Sequence, residues 1–120
     1  NLKAYALLVT FQKTEHEFSP TTMYADYPIS RSRIHWESQS TTTQQGKTGQ
    51  NLILHQEKGY TVLFFVREQK KNAVANVAMP YTFLGQGELM SFEGERPIKM
   101  IWNLQYPMPV EMFERNKVGG

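Results

Sequence analysis

Three short segments place aromatic rings beside hydrogen-bonding side chains: Tyr24–Ala25–Asp26–Tyr27, His35–Trp36–Glu37–Ser38–Gln39 and Tyr81–Thr82–Phe83–Leu84–Gly85. Flat rings stack on flat ligands, and carboxylates and amides read hydrogen-bonding edges. A base rotated out of a duplex requires this pairing, with aromatic walls and one polar group facing its Watson–Crick edge. Cytosine presents an exocyclic amine on that edge, from which a carboxylate such as Asp26 accepts.

Catalytic chemistry has much thinner support. The three histidines, His16, His35 and His55, stand at spacings that match no metal motif. The absence of cysteine removes disulfides, thiolate zinc sites and thiol nucleophiles together. Gly46–Lys47–Thr48 echoes the end of a phosphate-binding loop, but the glycine that should precede it is missing. Glu93 and Glu95 flank Gly94 in a turn, where solvated charge is the simpler account. No nucleophile elbow is found. The expectation is a non-catalytic domain without metal or cofactor.

The elements that must position these groups follow from length and periodicity. A chain of 120 residues with 40% apolar content builds one domain and one core. No apolar run is long enough for a membrane span, and no signal peptide opens the chain. A cytoplasmic setting is therefore expected. Because the first residue is Asn1 and strand-like pattern begins at once, residues 1–120 read as one domain taken from a larger protein. The net charge of +2 is small for a domain that binds nucleic acid by charge alone.

A period near two dominates. Tyr5–Phe11 is expected as a strand buried on both faces, Tyr24–Tyr27 as a short aromatic strand stopped by Pro28, and Ile29–Arg33 as one helical turn. Ile34–Ser38 alternates, with Ile34, Trp36 and Ser38 on one face. Ser38–Gln50 reads as a long flexible polar loop. Leu52–Glu57 and Thr61–Arg67 read as a hairpin around Lys58–Gly59, the second strand being central and covered on both faces. Further strands are expected at Tyr81–Leu84, Leu89–Phe92 and Ile98–Leu104, with a turn at Gly85–Gly87 and a helix at Pro109–Asn116. About seven strands with one or two short helices make a mostly β fold, a small open barrel.

Each candidate has a plainer structural role beside the functional one. Trp36, Phe83 and Trp102 are expected in the core ahead of a pocket, and Phe64 and Phe65 more firmly so. Tyr24 and Tyr27 are balanced between the two. Asp26 could cap the turn before Pro28, and Arg31 and Arg33 could be ordinary solvated charges.

A resemblance extends this reading. Lys13–Thr14, Tyr24–Ala25–Asp26–Tyr27, His35–Trp36–Glu37–Ser38–Gln39, Leu63–Phe64–Phe65–Val66–Arg67–Glu68, Tyr81–Thr82–Phe83–Leu84–Gly85 and Trp102–Asn103–Leu104 with Pro107 and Pro109 follow one another along nearly the whole chain. In that order they resemble the C-terminal domain of certain superfamily-2 helicases that carry a phospholipase-D-type nuclease. The best understood of these are ATP-dependent type IV restriction enzymes, which cut DNA containing modified cytosine. The resemblance implies an SRA/PUA-like fold and a reader of 5-methylcytosine, with 5-hydroxymethylcytosine as a second mark. It also implies helicase and nuclease domains elsewhere in the same polypeptide, with double-stranded DNA as partner. The few Lys and Arg residues are a departure for a DNA binder.

The expected base pocket comprises Tyr24, Asp26, Tyr27, Trp36, Glu37, Ser38, Tyr81 and Phe83. The expected DNA contacts are Arg31, Arg33 and Lys47 on phosphates, with Gln39 or Gln44 filling the gap in the stack. A structural or dimerisation domain, or a reader of modified RNA bases, are the alternatives.

Overall fold

The structure, a computed structural model, describes residues 3–11, 26–69 and 77–117. Its strands are β1 (Ala4–Thr10), β2 (Tyr27–Pro28), β3 (Arg33–Glu37), β4 (Thr61–Arg67), β5 (Thr82–Glu93) and β6 (Lys99–Leu104). Its helices are α1 (Lys47–Ile53), α2 (His55–Lys58) and α3 (Val110–Asn116). The strands form one six-stranded sheet in the order β1-β4-β5-β6-β3-β2. β1 runs parallel to β4 and every other pairing is antiparallel, which makes a mixed half-barrel. A parallel pair needs a long crossover, and here β2, β3, α1 and α2 all lie between β1 and β4 in the chain.

Alternation decides which side chains go inside, because successive strand residues face opposite sides. Leu7 and Val9 of β1, Val62, Phe64 and Val66 of β4, and Met100, Trp102 and Leu104 of β6 are buried. Ile34 of β3, Leu84 of β5, Leu52 of α1 and Met112 of α3 join them in one core. Trp102 lies at its centre, with ring centroids 5.5 Å from Phe64 and 5.3 Å from His55.

The mostly β class holds, with six strands among the described residues where about seven are expected of the chain. Leu52–Glu57 is helical. Asn51, Leu52 and His55 turn inward at helical spacing, and Gly59, at φ 78°, ends α2 in the left-handed conformation that closes helices instead of turning a hairpin. Tyr81–Leu84 and Leu89–Phe92 belong to one stretch, because Gly85–Gly87 continues the strand. The register shifts beside it are bulges that bend β5 as it passes from β4 to β6. Ile29–Arg33 is a tight bend in which Ile29 N–H and Ser30 N–H both donate to the Arg33 carbonyl. The polar stretch from Ser38 is pinned by hydrogen bonds, and its last residues form the start of α1. The helix after Pro109 forms as expected.

Burial on both faces fails for β1 and β4. Leu8 is 61% exposed, and Leu63 and Phe65 are only half-buried. Trp102 and Phe64 are core residues, Trp36 is half-buried against the core, and Phe83 is exposed. No described helix is long and apolar enough to cross a membrane.

Candidate functional site

β2 pairs antiparallel with β3, Tyr27 opposite His35 and Pro28 opposite Ile34, so Asp26 at the entry to β2 lies beside the far end of β3. There the Asp26 side chain binds the β3 backbone. Its Oδ1 accepts from the Glu37 N–H at 2.9 Å, on the outermost edge of the sheet. On its other side the end of β3 is tied to the strand leading into β6. Ser38 N–H donates to the Ile98 carbonyl at 3.0 Å, and Ile98 N–H donates to Ser38 Oγ at 2.8 Å. Ser38 is buried and its hydroxyl donates to the Gln39 carbonyl, so it holds the strand end in place.

Asp26 is half-buried, and its carboxyl is pushed up from 3.8 to about 6. Burial is the main cause, the Glu37 N–H pulls the other way, and the nearby Glu37 charge adds to the rise. Among the described residues no donor meets Oδ2, so one acceptor of a partly desolvated carboxylate remains to be used. Trp36 is adjacent, with its indole partly exposed above the core. Asp26, Trp36, Glu37 and Ser38 therefore lie together at one strand end.

Other predicted residues are divided by the pleat of β3. Tyr27 stands opposite His35 and stacks on it at 4.6 Å and 10°, on the outer face. Trp36, one residue further along β3, is on the inner side. Tyr27 and Trp36 thus cannot both wall one slot without rearrangement of β3. The Tyr27–His35 stack instead lines a groove of about 370 Å3 with Ile101, Lys99, Phe92 and Glu93. Tyr81 and Phe83 stand elsewhere again, at the β4 side of β5. There Arg67 lies over the Tyr81 ring at 4.5 Å and Phe83 packs on Phe65 at 5.0 Å. Tyr24 and the Lys13–Thr14 segment lie outside the described residues.

The predicted DNA contacts have different commitments. Arg33 and Lys47 are exposed. Arg31 is exposed as a residue, but its Nε donates to the Met108 carbonyl at 2.8 Å, which fixes the guanidinium beside the start of α3. Gln44 is held to the turn before β6, its backbone N–H on Glu95 and its side-chain amide on the Gly94 carbonyl at 2.8 Å. Gln39 is exposed and its side chain makes no hydrogen bond with a described residue, so of the two glutamines it is the uncommitted one.

Sequence reading missed a second polar hollow of about 380 Å3. It is bounded by Tyr60, Gln56, Gln86, Glu88, Asn103 and Gln105, where β5 leaves β4 for β6. Those residues are scattered over three stretches of the chain, and no local motif announces them. His55, read as a strand residue, is buried in α2 with Nδ1 3.1 Å from the Leu52 carbonyl. No cluster of metal-ligating side chains exists among the described residues.

These features define a mostly β half-barrel domain with a carboxylate and an indole at the end of its edge-strand pairing. The chain belongs to the family described as domain of unknown function DUF3427, which matches residues 1–115. No curated protein matches it.

Proposed function

We propose that this domain binds double-stranded DNA and recognises 5-methylcytosine, with 5-hydroxymethylcytosine as a second mark, by receiving the base flipped out of the duplex. In this reading the half-barrel is SRA/PUA-like, and the domain targets an ATP-dependent type IV restriction enzyme whose helicase and nuclease domains lie in the same polypeptide. The domain itself performs no catalysis. The observation that carries the proposal is Asp26: a partly desolvated carboxylate held by Glu37 N–H, with no donor on Oδ2 among the described residues and Trp36 beside it. Oδ2 accepts from the exocyclic amine of cytosine while the indole offers a stacking face. Glu37 is a second acceptor at the same strand end. Gln39 enters the vacated stack, and Arg31, Arg33 and Lys47 meet phosphates.

The methyl group contributes only about 1 kcal/mol when buried. Discrimination of about fivefold is what that contact alone provides. The test is a titration, at one fixed salt concentration, of two duplexes differing only in 5-methylcytosine. Tighter binding of the methylated duplex, lost in Asp26→Asn with the fold intact, supports the proposal. Equal affinity for both duplexes, or an unchanged preference in Asp26→Asn, rejects it.

A further inference from the structure

The hollow where β5 leaves β4 plays no part in base reading at Asp26, yet its lining is chemically selective. β4 and β5 pair at Leu63 and Gln86. Beyond that pair β5 passes to β6, where Glu88 stands opposite Asn103. Thr61 and Glu88 are left on either side of a split in the sheet, and the opening has a volume of about 380 Å3. His55 of α2 lines it and is buried, so it closes the hollow from the core side.

The polar groups around this opening are uncommitted. The side chains of Gln56, Gln86, Glu88 and Asn103 make no hydrogen bond with a described residue. The His55 ring is oriented by the Leu52 carbonyl, 3.1 Å from Nδ1. A carbonyl only accepts, so Nδ1 carries a proton and Nε2 of the neutral ring is an acceptor. No described donor meets Nε2. In a residue only 6% exposed, an open acceptor costs free energy until a donor reaches it.

This set of groups selects a ligand. No Lys or Arg lines the hollow, so it offers an anion no counter-charge. Glu88 and His55 Nε2 both call for N–H donors. Register places the Glu88 carboxylate beside the Asn103 amide, an acceptor next to a donor. The complementary edge is an exocyclic amine next to a ring nitrogen, which adenine and cytosine carry. Guanine presents paired acceptors suited to Arg or Lys, and thymine sets a carbonyl against the carboxylate. The volume lies at the small end of ligand sites, which suits one base and not a duplex.

We infer that the hollow is a second binding site, for a single nucleobase bearing an exocyclic amine. Glu88 accepts from the amine and the Asn103 amide donates to the neighbouring ring nitrogen. The site is separate from Asp26, because Asn103 pairs with Arg33 at the start of β3 and Asp26 binds Glu37 at its end.

The test is a calorimetric titration of the chain with adenosine and with inosine, which has a carbonyl in place of the amine. Adenosine binds saturably, with a Kd of about 1 mM or tighter. Inosine binds at least about tenfold more weakly, and Glu88→Ala, at an exposed position, weakens adenosine by a similar factor. Asp26→Asn binds adenosine as the wild type does, whether or not Asp26 reads cytosine. Equal affinity for the two nucleosides overturns the inference, since the amine is then not read. Undiminished binding in Glu88→Ala, with circular dichroism confirming the fold, also overturns it. So does loss of binding in Asp26→Asn, or failure of the wild-type chain to bind adenosine.

Discussion

At the residue scale, Asp26 carries the most information. Its folded pKa of about 6 lies above the ordinary 3.8, so between those values the folded chain holds a proton that the unfolded chain has released. The resulting contribution to stability is complete below pH 3.8 and is lost as pH rises through about 6. The shift corresponds to roughly 3 kcal/mol at most. Asp26→Asn keeps an oxygen for the Glu37 N–H but carries no charge to desolvate. Thermal denaturation is expected to show it more stable than the wild type at pH 7 to 8 and level with it near pH 4 (a range set by that pKa). A variant less stable at every pH would show that the charge contributes favourably. Under the proposed function the same substitution abolishes recognition, because an amide nitrogen then faces the cytosine amine. A residue that weakens the fold at neutral pH and is needed for binding is common at functional sites.

At the element scale, β5 decides the shape of the sheet. It pairs first with β4 and then with β6, and its bulges bend it between the two. Gly87 stands at the handover, and a Cβ there would overlap the Phe64 ring and come 3.1 Å from Trp102 Cε3. Both rings are fully buried and have no room to retreat. Gly87→Ala is therefore expected to cost about 1–3 kcal/mol, read as a lowered urea midpoint. A change below about 0.5 kcal/mol would mean that the core yields at this point. β3 shows the complementary device. Its end is held by side chains, Asp26 on one side and Ser38 on the other, so the Trp36–Glu37 segment stays placed beyond the residues paired with Tyr27 and Pro28.

At the scale of the whole molecule, the formal charge of +2 limits what electrostatics contributes. Arg31, Arg33 and Lys47 are the cations assigned to duplex phosphates, and three such contacts give a slope of about −3 for log K against log salt. A slope near −6 would require phosphate contacts from other cations and would weaken the assignment. A shallow dependence fits a domain whose selectivity comes from a pocket and whose hold on DNA is shared with neighbouring domains.

Much of this was legible in the amino-acid sequence. Apolar runs located β1 and β4 and alternation located β3 and β6, but an unbroken apolar run gave no sign that Leu8, Leu63 and Phe65 face outward. The nearness of Asp26 to Trp36 and Glu37 followed from two short segments separated by one tight bend. The helical character of Leu52–Glu57 was hidden, since a short apolar run fits either period and only packing of Leu52 and His55 against Trp102 selects the helix. Likewise Gly85 and Gly87 signal a turn when read locally, but the sheet uses them as a bulge and a close approach. Which rings share a surface was decided by tertiary structure alone. Tyr27 and Trp36 are separated by the pleat, while Phe65, Phe83 and Tyr106 meet through register between strands distant in the chain. Residue chemistry and local period are properties of short segments, whereas a shared face depends on strand order and register, which only the folded sheet fixes.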